Sequence, residues 1–482
     1  MQRRRKILIR NLIGKYSKLS TPLKASLAFM IVSFFQKGMS IITGPIFTRI
    51  LSPTEYGQIS IFNSWIDIIG VVAMLSLSAG VYNNGMLDYE DKKDEFTFSL
   101  LILSNSCTLI MAMIYIIFRK YFDYILILPH SLIILMFIIF FISPAFNFWT
   151  TRQRYEYKYK SYAVITILSI IISCSTSILC VINFKNKIDA KLWGEKIILI
   201  LIWIYFYINI IYKGKFKLKL EYWKYALKFN IPLIPHYLSL YVLNNSDRVM
   251  IANILGTESA AIYSVAYSAG SIVSIIWISI NSSLLPWTYD KLKKKEYNSI
   301  GETTKPLIVI YGVVCVMLVY LAPEIMHILA PKSYHNGIYV IAPVIAGIFF
   351  TSLYCLFANI EFYYKSTKVI MIASVMSSII NIILNLIFIP RYGYIAAGYT
   401  TLISYIFQSI LHYINLKRIE EKTIYDIKFV IYLSICVIVM CLLSNILYSL
   451  PFLRYGILIC AIVIIFKYKN KFIKLLKSIR EK

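Results

Sequence analysis

The apolar residues of this chain follow neither a helical stripe nor strict alternation. They come in long runs, separated by short clusters of charged residues, glycine, proline and asparagine. Runs of this length fit spanning helices, because about 20 apolar residues, each rising 1.5 Å, cross a hydrocarbon core of about 30 Å. The pattern predicts about fourteen spans. Six cover residues 25–51, 56–81, 96–118, 126–149, 162–182 and 192–212. Six more cover 231–255, 259–287, 306–329, 338–364, 369–389 and 393–416, and two close the series at 429–448 and 452–466. The expected fold class is an all-α polytopic membrane protein, with two pseudo-symmetric six-helix bundles (25–212 and 231–416) and two C-terminal helices (417–466). Residues 213–230 read as a basic, amphipathic connector on the membrane surface. Basic tails, 1–24 and 467–482, flank the spans. The first apolar run is too long for the core of a cleaved signal peptide, so it is expected to remain as a span.

Composition agrees with this count. Apolar residues make up 59% of the 482 positions, against about 45–50% in soluble domains. Fourteen spans would consume about 280 of them, which leaves no soluble catalytic domain. The formal charge of +27 fits nucleic-acid binding or membrane topology. Its distribution decides for topology: about 38 of the lysines and arginines fall on the tails and alternate loops, as expected where cytoplasmic loops are basic. Both termini are therefore expected on the cytoplasmic side. One basic cluster, Lys185, Lys187, Lys191 and Lys196, falls on an outer loop in this scheme, partly offset by Asp189 and Glu195. The eight cysteines all lie in apolar runs without a CxxC pair, so they read as small buried hydrophobes, with no metal and no disulfide expected.

A faint repeat links the two halves. Ile50-Leu51-Ser52-Pro53-Thr54-Glu55-Tyr56-Gly57-Gln58-Ile59 closes the first span and opens the second, and Ile254-Leu255-Gly256-Thr257-Glu258-Ser259-Ala260-Ala261-Ile262 does the same between spans seven and eight, allowing one gap. Repeats about a pseudo-two-fold axis, with substrate held between them, are a transporter signature.

Longer motifs carry a resemblance. They are Gly44-Pro45 followed by Thr48-Arg49-Ile50-Leu51-Ser52-Pro53-Thr54-Glu55-Tyr56-Gly57, Asn230-Ile231-Pro232-Leu233-Ile234-Pro235-His236, and Asn245-Ser246-Asp247-Arg248-Val249-Met250-Ile251. Ala261-Ile262-Tyr263-Ser264-Val265-Ala266-Tyr267 and Pro390-Arg391-Tyr392-Gly393-Tyr394-Ile395-Ala396-Ala397-Gly398 follow. In this order and spacing, over nearly the whole chain, they resemble the Wzx-type polysaccharide flippases of the multidrug/oligosaccharidyl-lipid/polysaccharide exporter superfamily. The resemblance implies two facing six-helix bundles in the bacterial cytoplasmic membrane. It implies export of undecaprenyl-pyrophosphate-linked repeat units for capsule, O-antigen or exopolysaccharide. A polysaccharide polymerase and chain-length machinery would be partners alongside membrane lipids. No cofactor and no nucleic acid are expected.

Such a substrate has a tail that stays in lipid and a charged, hydroxylated head that cannot cross it unaided. A flippase needs cations for pyrophosphate and polar or aromatic groups for sugars. Ionisable residues inside spans are the first candidates. Lys37 reads as a cavity cation or a structural partner. Asp67 lies one turn from Asn63 and suits pairing with Lys37 or binding a coupling proton or sodium. Arg248 shares a face with Asn244, and the adjacent Asp247 points about 100° away; both suit an interhelical ion pair or substrate contact. Tyr263 and Tyr267 share one face of the eighth span, where aromatic rings stack on sugars or simply pack. Arg49 and Glu324 sit near outer span ends and read as gate or interface. Glu361, also a gate or coupling candidate, is spaced to pair with Lys365 along one helix. Two alternatives remain: a cation-coupled multidrug antiporter of the same fold, and a membrane polymerase or glycosyltransferase. Short outer loops and the absence of nucleophile motifs disfavour the enzyme.

Overall fold

The computed structural model describes residues 21–463. The basic tails fall outside this range, apart from residues 21–24. The described residues form long α-helices, and ten are long and apolar enough to cross a membrane. Every predicted span corresponds to a helix. These are α1 (Thr21–Ile50), α2 (Pro53–Ala73), α3 (Val81–Asp88), α4 (Lys93–Ile117), α5 (Arg119–Leu126), α6 (His130–Tyr155), α7 (Tyr159–Asn183) and α8 (Lys187–Gly214). The chain continues with α9 (Leu220–Asn230), α10 (Ile234–Leu255), α11 (Thr257–Lys293), α12 (Tyr297–Tyr320) and α13 (Ala322–Leu329). It closes with α14 (Ile338–Tyr363), α15 (Thr367–Tyr392), α16 (Tyr394–Ile419), α17 (Ile427–Leu447) and α18 (Pro451–Val463). The predicted spans outside the ten are α2, α10, α16 and the short α18. The first three carry Asp67, Asp247 and His412 among their residues, and these polar positions dilute their apolar character.

Local chemistry explains the breaks. Ser52 caps α2 through a capping box: Glu55 Oε2 accepts from the Ser52 backbone N–H at 2.7 Å, and the Ser52 hydroxyl accepts from the Glu55 N–H at 3.3 Å. Pro53 occupies the first helical position, where its missing N–H costs nothing. The second span ends earlier than its apolar run predicts. Leu75 and Ser76 adopt left-handed backbone (φ 53° and 46°), and the Ala73 and Leu75 carbonyls accept hydrogen bonds from Thr108 and Asn230 side chains. The predicted span 306–329 is two helices, because the chain turns at Leu321 and Pro323 opens α13.

The chain divides into two compact units. Of the described residues, the first holds 21–43, 72–123 and 129–232; the second holds 44–71, 124–128 and 233–463. Residues 44–71, read from sequence as part of the N-terminal bundle, thus cluster with the C-terminal helices.

In the first unit, α4, α6, α7 and α8 pack together around Leu132, Leu135, Phe140 and Phe148. The connector helix α9 is docked rather than free. It buries Tyr222 and Ala226, while the Trp223 indole donates to the Ser99 carbonyl at 2.7 Å and Tyr225 donates to Asp88 at 2.6 Å. Of the basic cluster Lys185, Lys187, Lys191 and Lys196, two members on α8, Lys191 and Lys196, share Glu195 at 2.6 and 2.5 Å.

In the second unit, α14 is the central helix, buried along most of its length and packed on α11, α12, α16 and α17. Gly57 of α2 lies against the Thr257 carbonyl so closely that a Cβ would sit 1.9 Å from it. The two turns of the sequence repeat are therefore in contact.

Candidate functional site

The second unit buries a carboxylate among uncharged partners. Asp247 of α10 is 1% exposed. Its Oδ2 accepts from the Tyr263 hydroxyl at 2.5 Å and the Thr401 hydroxyl at 2.6 Å, and its Oδ1 accepts from the Asn385 amide at 2.6 Å. Four helices, α10, α11, α15 and α16, meet at this side chain. A second layer holds the donors. Asn385 accepts from Thr400 and also donates to Asn381 at 3.2 Å, Asn381 donates to Thr401 at 3.3 Å, and Ser246 donates to Asn381 at 3.3 Å. Removing a carboxylate from water costs several kcal/mol, and these charge-assisted bonds offset part of that cost.

Arg248 turns the other way. Its guanidinium lies 4.6 Å from the centre of the Tyr267 ring and donates to the Asn244 carbonyl and the Asn245 side chain, both at 2.9 Å. The Asn244 side-chain oxygen accepts from Tyr405 at 3.0 Å and Tyr267 at 3.4 Å. Asn245 reaches Asp67 of α2 at 3.4 Å. Asp67, Asn245, Arg248, Tyr267, Asn244 and Tyr405 thus form one contiguous polar surface backed by the buried Asp247 cluster. Asn63 is exposed on α2, one turn before Asp67. Lys37 is exposed on α1 within the first unit.

The remaining candidates hold helix ends and interior contacts. Arg49 donates to the His327 and Ile328 carbonyls at 3.3 and 3.0 Å, and Thr48 donates to the Leu329 carbonyl at 2.7 Å. Together they cap the C-terminus of α13. Glu324 receives both terminal nitrogens of Arg454, at 2.8 and 2.6 Å, and the Tyr455 hydroxyl at 2.6 Å. Glu361 corrects its sequence reading. It is completely buried and bonds to His412 Nδ1 at 2.5 Å and Asn415 Nδ2 at 2.6 Å. Lys365 lies beyond the end of α14 in left-handed backbone (φ 58°), so the helical register that would pair it with Glu361 is lost.

Sequence reasoning missed Asn381, Asn385, Thr400, Thr401, Tyr405, His412 and Arg454. A signal was present. Ser374, Ser378, Asn381 and Asn385 share one face of α15, and Thr400, Ser404, Gln408 and His412 repeat every fourth residue of α16; all are buried. A polar stripe on a spanning helix marks a helix–helix seam even without ionisable groups. Among the described residues, no cluster of three His, Cys, Asp or Glu side chains suits a metal ion.

Comparison with known proteins now decides the family. A model described as "Polysaccharide biosynthesis protein" matches residues 23–290, more than half of the chain. The chain belongs to the polysaccharide biosynthesis protein family. A Haemophilus influenzae protein of the Lsg locus is 27% identical over 165 residues, a match covering 33% of this chain and 40% of that protein's length. Among solved structures, the lipid II flippase MurJ in an inward closed conformation superposes with a TM-score of 0.66 at 20% identity, over 92% of this chain and 100% of that one. An inward-facing multidrug resistance MATE family transporter of the MOP superfamily gives 0.58 at 12% identity, over 84% and 99%. This family member therefore shares the fold of these structures and is a multi-pass membrane protein.

Proposed function

We propose that this polysaccharide biosynthesis protein is a flippase. It moves undecaprenyl-pyrophosphate-linked oligosaccharide repeat units from the inner to the outer leaflet of the bacterial cytoplasmic membrane, by alternating access, with both termini cytoplasmic. The product feeds capsule, O-antigen or exopolysaccharide assembly, next to a polymerase and chain-length machinery. The family match over residues 23–290 carries this reading. The polar surface of the second unit supports it: Arg248 offers a cation for pyrophosphate, while Asn244, Tyr267, Asn63 and Asp67 offer hydroxyl-binding and stacking groups. Lys37, in the first unit, is a separate candidate cation for pyrophosphate. Asp247 is the coupling site, where a bound proton or sodium ion alters a carboxylate shared by four helices, and Arg49, Glu324 and Glu361 hold helices that move.

The test is a deletion strain. Accumulation of lipid-linked repeat units on the cytoplasmic leaflet, with loss of surface polysaccharide and no rescue by Arg248→Ala, is expected. Repeat units that reach the outer leaflet unpolymerised would overturn the reading. The MATE-like fold makes cation-driven drug efflux the second reading. Unchanged repeat-unit pools with drug sensitivity in the deletion strain would favour it.

A further inference from the structure

A cavity of about 220 Å³ lies wholly within the first unit, where the start of α4, the end of α6 and the last turns of α8 meet. It is large enough to admit several waters or one small polar ligand. Trp149 and Phe206 pack with ring centres 4.4 Å apart and form an aromatic side of it. Gln153 and Asn209 line it as well. Gln153 is only 7% exposed, yet among the described residues neither its side-chain amide nor that of Asn209 has a hydrogen-bond partner. Asn209 is half-buried, and both amides line the cavity, where each can donate to and accept from a polar ligand.

The charges in the wall show what that is. Arg152 donates to Glu156 at 2.7 Å and to Asp94, and Lys158 reaches Glu156 at 2.5 Å. Arg152 and Lys158 are already matched by carboxylates, so these two do not make the cavity an anion trap. Carboxylate acceptors, uncommitted amides and an aromatic face together suit a ligand that donates and accepts hydrogen bonds around an apolar ring face. A pyranose has that chemistry, and most ligand pockets combine such aromatic walls with a few placed polar groups. Lys213, exposed at the rim, suits an acidic substituent or a phosphate linkage.

We propose that this cavity is a saccharide subsite for one hexose or hexosamine ring, stacked on Trp149 and held by Gln153 and Asn209. The sugar is either free or the head of a lipid-linked saccharide; the second source rests on the flippase reading, whereas the chemistry of the cavity does not. The full chain in lipid nanodiscs is titrated with glucose, N-acetylglucosamine, undecaprenyl-pyrophosphoryl-N-acetylglucosamine and undecaprenyl phosphate. Saturable binding of a sugar-bearing probe is expected, weakened at least about tenfold in the Gln153→Met/Asn209→Leu double variant and several-fold in Trp149→Phe. Thermal unfolding of both variants should match the parent, which separates loss of the site from loss of the fold. Binding of free sugars alone identifies the free source, and binding of the lipid-linked probe alone identifies the lipid head. Equal binding by parent and double variant, or no saturable binding across the sugars, overturns the subsite whatever the transport assay shows. Sugar binding lost in the variant, with normal repeat-unit pools in the deletion strain, keeps the subsite and removes the flippase reading.

Discussion

Each unit contains a seam of buried polar residues between two spanning helices, and the two seams use different chemistry. In the first unit, α7 buries Thr166, Ser169, Ser173 and Ser177 against α8. Two of these hydroxyls turn to backbone: Ser169 donates to the Ile165 carbonyl at 2.6 Å and Ser177 to the Lys191 carbonyl at 2.9 Å. Their service is closeness, since a Cβ on Gly194 would sit 2.9 Å from Cys180. In the second unit, α15 and α16 bury Asn381, Asn385, Thr400, Thr401, Gln408 and His412, and most bond to other side chains. A serine on a helix satisfies itself by bonding to the carbonyl one turn back. An amide, imidazole or carboxylate cannot, so each must find partners on other helices. The first seam tolerates change one residue at a time, whereas the second binds four helices into one hydrogen-bonded state. That interdependence makes the second seam the better place for a coupling site.

The largest effect is expected where the second seam pairs a buried carboxylate with an imidazole. His412→Ala leaves Glu361 with Asn415 alone and should cost about 3–5 kcal/mol, the range for breaking one side of a buried pair. Chemical unfolding in detergent measures it. The Glu361→Gln/His412→Ala double variant should recover part of the loss, because no carboxylate is then left stranded. A double variant as unstable as the single one would show that the pair is ordinary packing.

Next comes Asp247→Asn. The amide keeps the shape and one acceptor but faces three donors where a carboxylate stood. Transport should fall at least about tenfold while unfolding changes by about 1 kcal/mol, in line with one altered hydrogen bond. Repeat-unit flipping in proteoliposomes, with and without a proton or sodium gradient, is the readout. A variant that transports at the parent rate would remove Asp247 from coupling and reduce the two seams to the same structural service.

Much of this architecture was legible in the sequence. Apolar runs located every span, because a membrane demands continuous hydrophobicity whatever the fold. Helix ends were less visible where left-handed residues and side-chain caps decide them, as at Leu75 with Asn230. Asp247 and Arg248 stood out because an ionisable group inside a span is costly, and Tyr263 because it shares an aromatic face with Tyr267. Their neutral partners did not: Asn385 and Thr401 are 138 and 154 residues from Asp247 in the chain, and nothing local marks that meeting. Glu361 was assigned to the wrong neighbour because helical spacing favoured Lys365, while the helix ends before that lysine. The Gln153–Asn209 cavity was silent for the same reason, as its residues come from separate helices.

A smaller effect tests the first seam. Ser169→Ala removes a hydroxyl that bonds only within its own helix, and alanine is the better helix former by about half a kcal/mol. Stability should shift by no more than about 0.5 kcal/mol by the same unfolding measurement. A loss of several kcal/mol would mean that the first seam is as interdependent as the second.

The smallest effect lies outside both seams. Asp426 caps α17, accepting from the Phe429 N–H at 3.2 Å, and pairs with Lys305 at 2.9 Å. The Lys305 hydrogen bond, followed by the Phe429 N–H, holds its carboxyl below the ordinary value of 3.8. A lowered folded value means that the stabilisation is present above the unfolded pKa and is lost as pH falls through the folded one. The pair is open to solvent, so the consequence is local and weakened by salt. Amide protection in the first turn of α17, taken relative to the intrinsic exchange rate at each pH, should fall as the pH drops below about 4, while protection along α15 and α16 stays high. Asp426→Asn keeps a cap but loses the ion pair, and should make that first turn indifferent to acid over the same range. If the variant still loses protection with acid, another group controls the turn. If α15 and α16 lose protection with it in the parent, the second seam extends its cooperativity to a helix end that the contacts described here leave independent.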